Sequence, residues 1–376
     1  FPMCGDDSFI DFRYVKNWVN HTSFDYNPGE AVLGFTSYVH VGILTLLSFL
    51  LPLIDLPLLS QLTNVSFQLL NCCIIYFFLL DLSGNRWSAL SGAAVYTLDP
   101  FSVQQSTFGK EAPILLFVLT LSLWAILRRK HQALAWLSCL IPFIRPEGAI
   151  FSSICLAWSL KDNGPKVLKL WIAPILIAAS FTFLVFSYFG TIVPHGMIGK
   201  LKMFYPSSYP KIFFMALWMM GTGLFIPRFY IDRPGLYYGL GSVLFGFILL
   251  SIFIYVARGH VHRIYALSLV AYLLIFLGKN PEAFSWYLVW FALFPVFFVS
   301  ILVSLLLELK DKSRLSMILC LVLLADIFLV QIAQQVKRPS PGLASLTFSW
   351  SPELDRLIKF EKALECIYKE PGGRTA

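Results

Sequence analysis

The chain has 376 residues, of which 57% are hydrophobic, 16% aromatic and only 13% charged, with a net charge of +8. Soluble domains carry about 25% charged residues. A chain this long and this poor in charge cannot cover itself for water, so a soluble globular protein is excluded and lipid must meet much of its surface. The positive charge sits in short clusters between apolar runs and lacks the interleaved aromatics of a basic binding patch, so nucleic acid is not a partner.

Residues 1–32 are polar and mixed, with turn chemistry at Asn27-Pro28-Gly29. Apolar runs follow at 33–54, 59–82, 86–104, 111–128, 132–145, 148–160, 167–190, 211–227, 236–257, 263–278, 285–308 and 315–334. From Val336 the chain is polar again, and Leu354, Leu357, Ile358, Phe360 and Leu364 recur at helical spacing, as in an amphipathic helix. The opening FPMCGDD has no Met at position 1 and no basic leader, and the end GGRTA is abrupt. Both read as the edges of a piece of a longer protein. Of seven cysteines, five lie inside apolar runs and none has metal-ligand spacing, so neither a disulfide framework nor a metal knuckle is implied.

Basic loops set the orientation, because lysine and arginine are retained on the cytoplasmic side. Arg128-Arg129-Lys130, Lys161 to Lys169, Arg258 to Arg263 and Lys310 to Arg314 belong there. Two consequences follow. The runs at 132–145 and 148–160 form a short out-and-back pair that turns outside at Arg145-Pro146-Glu147-Gly148. The runs at 33–54 and 211–227 do not cross, but lie in the interface or re-enter it. The expectation is an all-α polytopic transmembrane helical bundle of about ten spans. Residues 1–58 form a first outer loop with interfacial helices, 59–335 the transmembrane domain, and 336–376 the start of an outer soluble segment.

The unusual polar residues fall on the outer side. Asp6-Asp7, with Arg13 beyond, could supply a general base, a cation ligand or a helix cap. Lys110-Glu111 precedes an inward helix, where the macrodipole alone favours a carboxylate. Arg145 and Glu147 form a charged turn at a depth where charges are costly, which fits either an internal ion pair or a functional pair. Pro194-His195 leads to Lys200 and Lys202, a basic segment suited either to snorkelling or to a lipid phosphate. Lys279-Asn280-Pro281-Glu282 leads to Trp286-Tyr287, a pair equally at home in an interfacial aromatic belt. Asp99 and Asp326 receive no role.

Read in order, these segments resemble a family of GT-C-fold glycosyltransferases that includes the polyprenyl-phosphate-arabinose-dependent arabinofuranosyltransferases of cell walls. The resemblance rests on Asp6-Asp7, Phe12-Arg13-Tyr14, Asn27-Pro28-Gly29-Glu30, Gly34-Phe35-Thr36-Ser37, Phe108-Gly109-Lys110-Glu111, Arg145-Pro146-Glu147-Gly148, Phe189-Gly190 through Pro194-His195 to Lys200, and Trp286-Tyr287-Leu288. Lys110, His195 and Gly196 depart from it, standing where Met, Asn and Thr are usual. The resemblance implies a hexosyl- or pentosyltransferase of the cell membrane that takes a sugar from a polyprenyl-phosphate-linked donor to a hydroxyl on a glycan, lipid or protein acceptor, outside the cytoplasm, with inversion. Asp6 or Asp7 would be the base. Glu111 would position acceptor or cation, Arg13, Arg145 and Lys200 would hold the donor phosphate, and Glu147, His195, Trp286 and Tyr287 would line the site. No cofactor is assigned; Asp6, Asp7 and Glu111 are the carboxylates a divalent cation would use. The competing readings are a transporter or exporter of lipid or polysaccharide, for which no convincing internal repeat is found, and a noncatalytic membrane scaffold.

Overall fold

A computed structural model describes residues 4–21, 23–27, 29–195, 259–276, 289–309 and 325. All the regular structure among them is helical. In chain order the helices are α1 (Asp6–His21), α2 (Tyr38–Leu50), α3 (Leu56–Ser83), α4 (Arg86–Leu98), α5 (Pro100–Thr107), α6 (Ala112–Leu127), α7 (His131–Ile144), α8 (Ala149–Asn163), α9 (Leu168–Phe189), α10 (His260–Ala271) and α11 (Leu293–Leu309). Short 3-10 turns at Pro146–Gly148 and Pro165–Val167 join α7 to α8 and α8 to α9.

Among the described residues, two stretches, Leu56–Ser83 and Pro165–Phe189, are long and apolar enough to cross a membrane. Their outward faces carry Leu62, Leu69, Phe77, Ile177, Phe183 and Leu184, all exposed, a surface suited to acyl chains rather than water. The other helices are shorter. α2, with 13 residues, is roughly 20 Å long, well under the ~30 Å hydrocarbon core. α7 and α8, with 14 and 15 residues, form a short helical pair joined by the turn at Pro146–Gly148.

α6 is the central helix. It is apolar all round, as a fully buried helix should be, and Leu115, Leu119 and Leu123 have no exposure at all. Polar side chains join it to α3: Asn71 donates through Nδ2 to the Pro113 carbonyl at 2.9 Å, deep among apolar neighbours. α4 lies closely along α11. Ser88 and Ser300 share a hydroxyl bond of 2.7 Å, and Ser304 donates to Ser88 at 3.0 Å. Gly92 makes the approach possible, because a Cβ there would lie 2.4 Å from Leu79 Cδ1 and 3.1 Å from the Val296 carbonyl. Small residues with serine hydroxyls are how helices associate where the hydrophobic effect cannot drive them together.

One run divides where the sequence reads as continuous. The stretch 86–104 breaks into α4 and α5 at Asp99-Pro100. Asp99 Oδ2 accepts from the Ser102 amide at 2.8 Å and from its hydroxyl at 2.9 Å, and Pro100 occupies the first helical turn, where its missing amide costs nothing. Asp99 is therefore a helix cap. The runs at 211–227, 236–257 and 315–334, Asp326 and the amphipathic segment 351–368 lie outside the described residues.

Candidate functional site

The site is built at the end of the bundle where α1, the α5–α6 connection and the α7–α8 turn meet. The connection at 107–110 is fixed by donors from two helices. The Gly5 amide (2.9 Å) and the Ser8 hydroxyl (2.8 Å) donate to the Phe108 carbonyl. Gln61 of α3 donates to the Thr107 carbonyl and Asn64 to the Lys110 carbonyl, at 3.0 and 2.8 Å. Gly109 takes a positive φ of 76°, a conformation that costs glycine little. α1 is thus held against the loop that presents Lys110 and Glu111.

On α1, Ser8, Asp11, Phe12 and Val15 share one buried face at helical spacing. Asp11 is completely buried. Its Oδ2 meets His40 Nδ1 of α2 at 3.0 Å and Lys110 Nζ at 2.9 Å. His40 is equally buried, and its Nε2 lies 3.4 Å from the Ser60 hydroxyl of α3. Burial would push the Asp11 carboxyl up, but the Lys110 ammonium and the His40 bond outweigh it and hold the group below the ordinary carboxylate range. Burial likewise works against the charge on Lys110, yet Asp11 and Glu111, with Asp7 nearby, raise it above a free lysine.

A second set of charges is joined to the first. Glu111 stands at the N-cap of α6 without capping it through its side chain. Its Oε2 lies 3.6 Å from Lys110 Nζ, and its Oε1 accepts from Arg145 Nη1 at 3.1 Å. Arg145 also donates through Nε to Glu147 Oε1 at 2.5 Å. All three are buried, and the two carboxylates hold the guanidinium charged against the desolvation that opposes it. Gly148 lets this turn close onto α7: a Cβ there would lie 2.3 Å from Ile141 Cγ2 and 3.2 Å from the Ile141 carbonyl.

The structure thus brings together Asp7, Lys110, Glu111, Arg145 and Glu147, from three separate stretches of the sequence. Asp6 and Asp7 form the first turn of α1. Arg13 lies elsewhere, about 200° around α1 from Asp11, exposed and donating to the Tyr26 carbonyl at 3.2 Å. His195 is exposed beside the first loop. Its amide donates to the Leu33 carbonyl at 2.7 Å, and its Nδ1 accepts from the Leu33 amide at 3.2 Å. Lys200, Trp286 and Tyr287 lie outside the described residues. Sequence reasoning missed Asp11 and His40. The available signal was the Asp7–Asp11 spacing of four, which puts both on one helix face, and a lone imidazole within an otherwise apolar run. Asp11, His40 and Glu111 also offer donor atoms within 4.8 Å of one another.

No family model and no curated protein matches the chain. Among solved structures it is similar to the crystal structure of ArnT from Cupriavidus metallidurans bound to undecaprenyl phosphate, with a TM-score of 0.51 and 15% identity over 85% of this chain. The match covers 58% of the ArnT chain, so this chain spans less than two thirds of that protein's length. The likeness shows the fold: an all-α polytopic transmembrane bundle of the GT-C type, as the resemblance in sequence implies.

Proposed function

We propose that the chain is a membrane glycosyltransferase that moves a sugar from a polyprenyl-phosphate-linked donor to a hydroxyl acceptor at the extracytoplasmic face of the membrane. The observation that carries this reading is the convergence of α1, the Lys110-Glu111 connection and the Arg145–Gly148 turn on one charged cluster at one end of a GT-C-type bundle. Charges buried in a membrane protein are costly and are kept where they act. ArnT was crystallised with undecaprenyl phosphate, and a lipid phosphate is the donor class this reading carries over. Of the residues that join first loop and bundle here, Phe108 and Lys110 belong to the motifs on which the resemblance rests, whereas Ser8, Asp11 and His40 do not.

In this reading the acceptor oxygen attacks the anomeric carbon as the bond from that carbon to the lipid-phosphate oxygen breaks, inverting the centre. The proton of the acceptor passes to a carboxylate of Asp6 or Asp7, at the start of α1. The departing phosphate gains charge, which Lys200 would balance. Arg145 is shared by Glu111 and Glu147 and acts on the site mainly by fixing Glu111. Arg13, bonded at the surface to the Tyr26 carbonyl, would meet the donor headgroup from the side of the first loop. His195, Trp286 and Tyr287 would line the sugar. Residues 1–58 then form the outer loop, 59–335 the membrane domain and 336–376 the start of an outer soluble segment.

The test is transfer by the double variant Asp6→Asn, Asp7→Asn, purified with a native melting profile. Transfer should be abolished; full activity would remove the assignment of the base. Orientation is checked separately in a cysteine-free background. New cysteines at Glu30 and His195 should react with an impermeant reagent from outside the cell and one at Arg129 should not; the reverse pattern would put the site in the cytoplasm.

A further inference from the structure

The carboxylates at the centre of this cluster are arranged as if for a metal ion, yet a side chain already stands among them. Asp11, His40 and Glu111 are buried and bring one oxygen or nitrogen each to within 4.8 Å of one another. Such a mixed oxygen and imidazole set suits a divalent cation. Asp11 Oδ1 and Glu111 Oε2 are shielded from solvent and make no hydrogen bond among the described residues, as expected of ligand atoms awaiting an ion. Lys110 Nζ, however, lies 2.9 Å from Asp11 Oδ2 and 3.6 Å from Glu111 Oε2, with its side chain only 12% exposed. Its carbonyl is anchored by Asn64 and the preceding Gly109 by its turn, so the ammonium is delivered to this gap by the backbone.

We infer that Lys110 is a built-in cation: its ammonium takes the position a divalent ion would otherwise occupy between Asp11 and Glu111, and the cluster works without a metal. The balance of charge points the same way. Asp11, Glu111 and Glu147 are three buried carboxylates facing two cations, Lys110 and Arg145. Arg145 is committed to Glu111 and Glu147, which leaves Lys110 as the counter-charge for Asp11, and His40 aids it by donating through Nδ1. An ion entering this gap would have to displace an ammonium that the same carboxylates already stabilise. Lys110 is thus a positioning residue: it holds Glu111 between itself and Arg145 and anchors the loop against α1. The inference rests on the transferase reading only for its kinetic arm; metal binding is read without it.

The experiment uses the full chain in detergent, with MnCl₂ and ZnCl₂ as probes and melting temperature as the first readout. Wild type should melt at the same temperature with either salt or with EDTA. Lys110→Met, which keeps the length and removes the charge, should melt lower, and saturating Mn²⁺ or Zn²⁺ should restore a few degrees. Adding Asp11→Asn to it should abolish that response. A saturable stabilisation of the wild type, lost in Asp11→Asn, would overturn the inference, as would a Lys110→Met protein blind to both ions. If Lys110→Met is recovered folded only in the presence of either ion, the inference stands. If it folds under neither condition, the Asp11→Asn, Lys110→Met double variant decides: folding without metal supports the counter-ion role and failure to fold refutes it. In the kinetic arm, transfer by the wild type should be unchanged by EDTA. An inactive wild type that passes the melting tests would count against the transferase and leave the built-in cation intact.

Discussion

The two ends of the bundle both carry ion pairs, and they are built on opposite plans. At the end with the basic loops, Asp81 accepts from Arg128 (2.8 and 2.5 Å) and from the Trp124 indole, while Arg129 and His131 reach Asp162 at 3.6 and 3.2 Å. The arginines there are more than half exposed, at 58% and 65%. At the other end, Asp11, Glu111, Arg145 and Glu147 are nearly or wholly out of solvent. Exposed pairs tie loops together at little cost and yield little stability. Buried charges repay their desolvation only when every partner is in place, so the second end is the one where sequence cannot drift without consequence.

Mutations should make that contrast measurable. The largest effect is expected for Arg145→Met, which strands Glu111 and Glu147 in the interior. Removing one member of a buried charge set costs about 3–5 kcal/mol, so the variant should be recovered in low yield or melt far below the wild type. A melting point within a degree or two of the wild type would show that water reaches the cluster. Gly148→Ala comes next. The new methyl meets Ile141 and its carbonyl, and overpacking of this kind costs about 1–3 kcal/mol; thermal unfolding with the wild type alongside would measure it.

Acid should act on the buried end in a defined sense. The Asp11 carboxyl is held below its ordinary value, so its contribution is fully present above the unfolded value of about 3.9 and is lost as pH falls through the folded one. Lys110 is raised, so its contribution is present below its unfolded value of about 10.4 and lost as pH rises through the folded one. The pair should therefore hold undiminished between those limits. Unfolding below about pH 4 should be shallower in Asp11→Asn than in wild type; equal slopes would mean that Asp11 is not ionised. The smallest change is expected at the other end. Arg128→Ala should cost less than about 1 kcal/mol and the difference should fade in high salt. A loss as large as that of Arg145→Met would erase the distinction between the ends.

What could be read from sequence divides along the same line. The Asn27–Gly29 turn and the short helical pair hinged at Arg145–Gly148 are local features, and they reappear: Glu30 donates its amide to the Asn27 carbonyl at 3.0 Å, with Gly29 at φ 82°. The break at Asp99-Pro100 was legible in principle, since an acid before a proline is a helix start, but the apolar flanks on both sides hid it. Asp11 and His40 left only faint local signals, the Asp7–Asp11 spacing and a lone imidazole in an apolar run. Asp11 reads as a surface acid of an amphipathic helix, and its meaning comes from partners 29 and 99 residues away. Lys110 reads as a charge next to a helix start until α1 is folded over it. Arg13, seven positions after Asp6, falls on the same side of α1 as Asp6 and away from Asp11, where it is exposed and donates to the Tyr26 carbonyl.

The bonds between Leu33 and His195 bear on how this chain can be re-engineered. They join backbone to backbone and imidazole to backbone across 162 positions, so the rim of the bundle is stitched from two strips of chain rather than one. Swapping residues 1–58 for the corresponding stretch of another chain of this fold would leave the 190–195 strip without its seam. Chimeras should exchange both strips together, with the junctions placed inside α3 and α9.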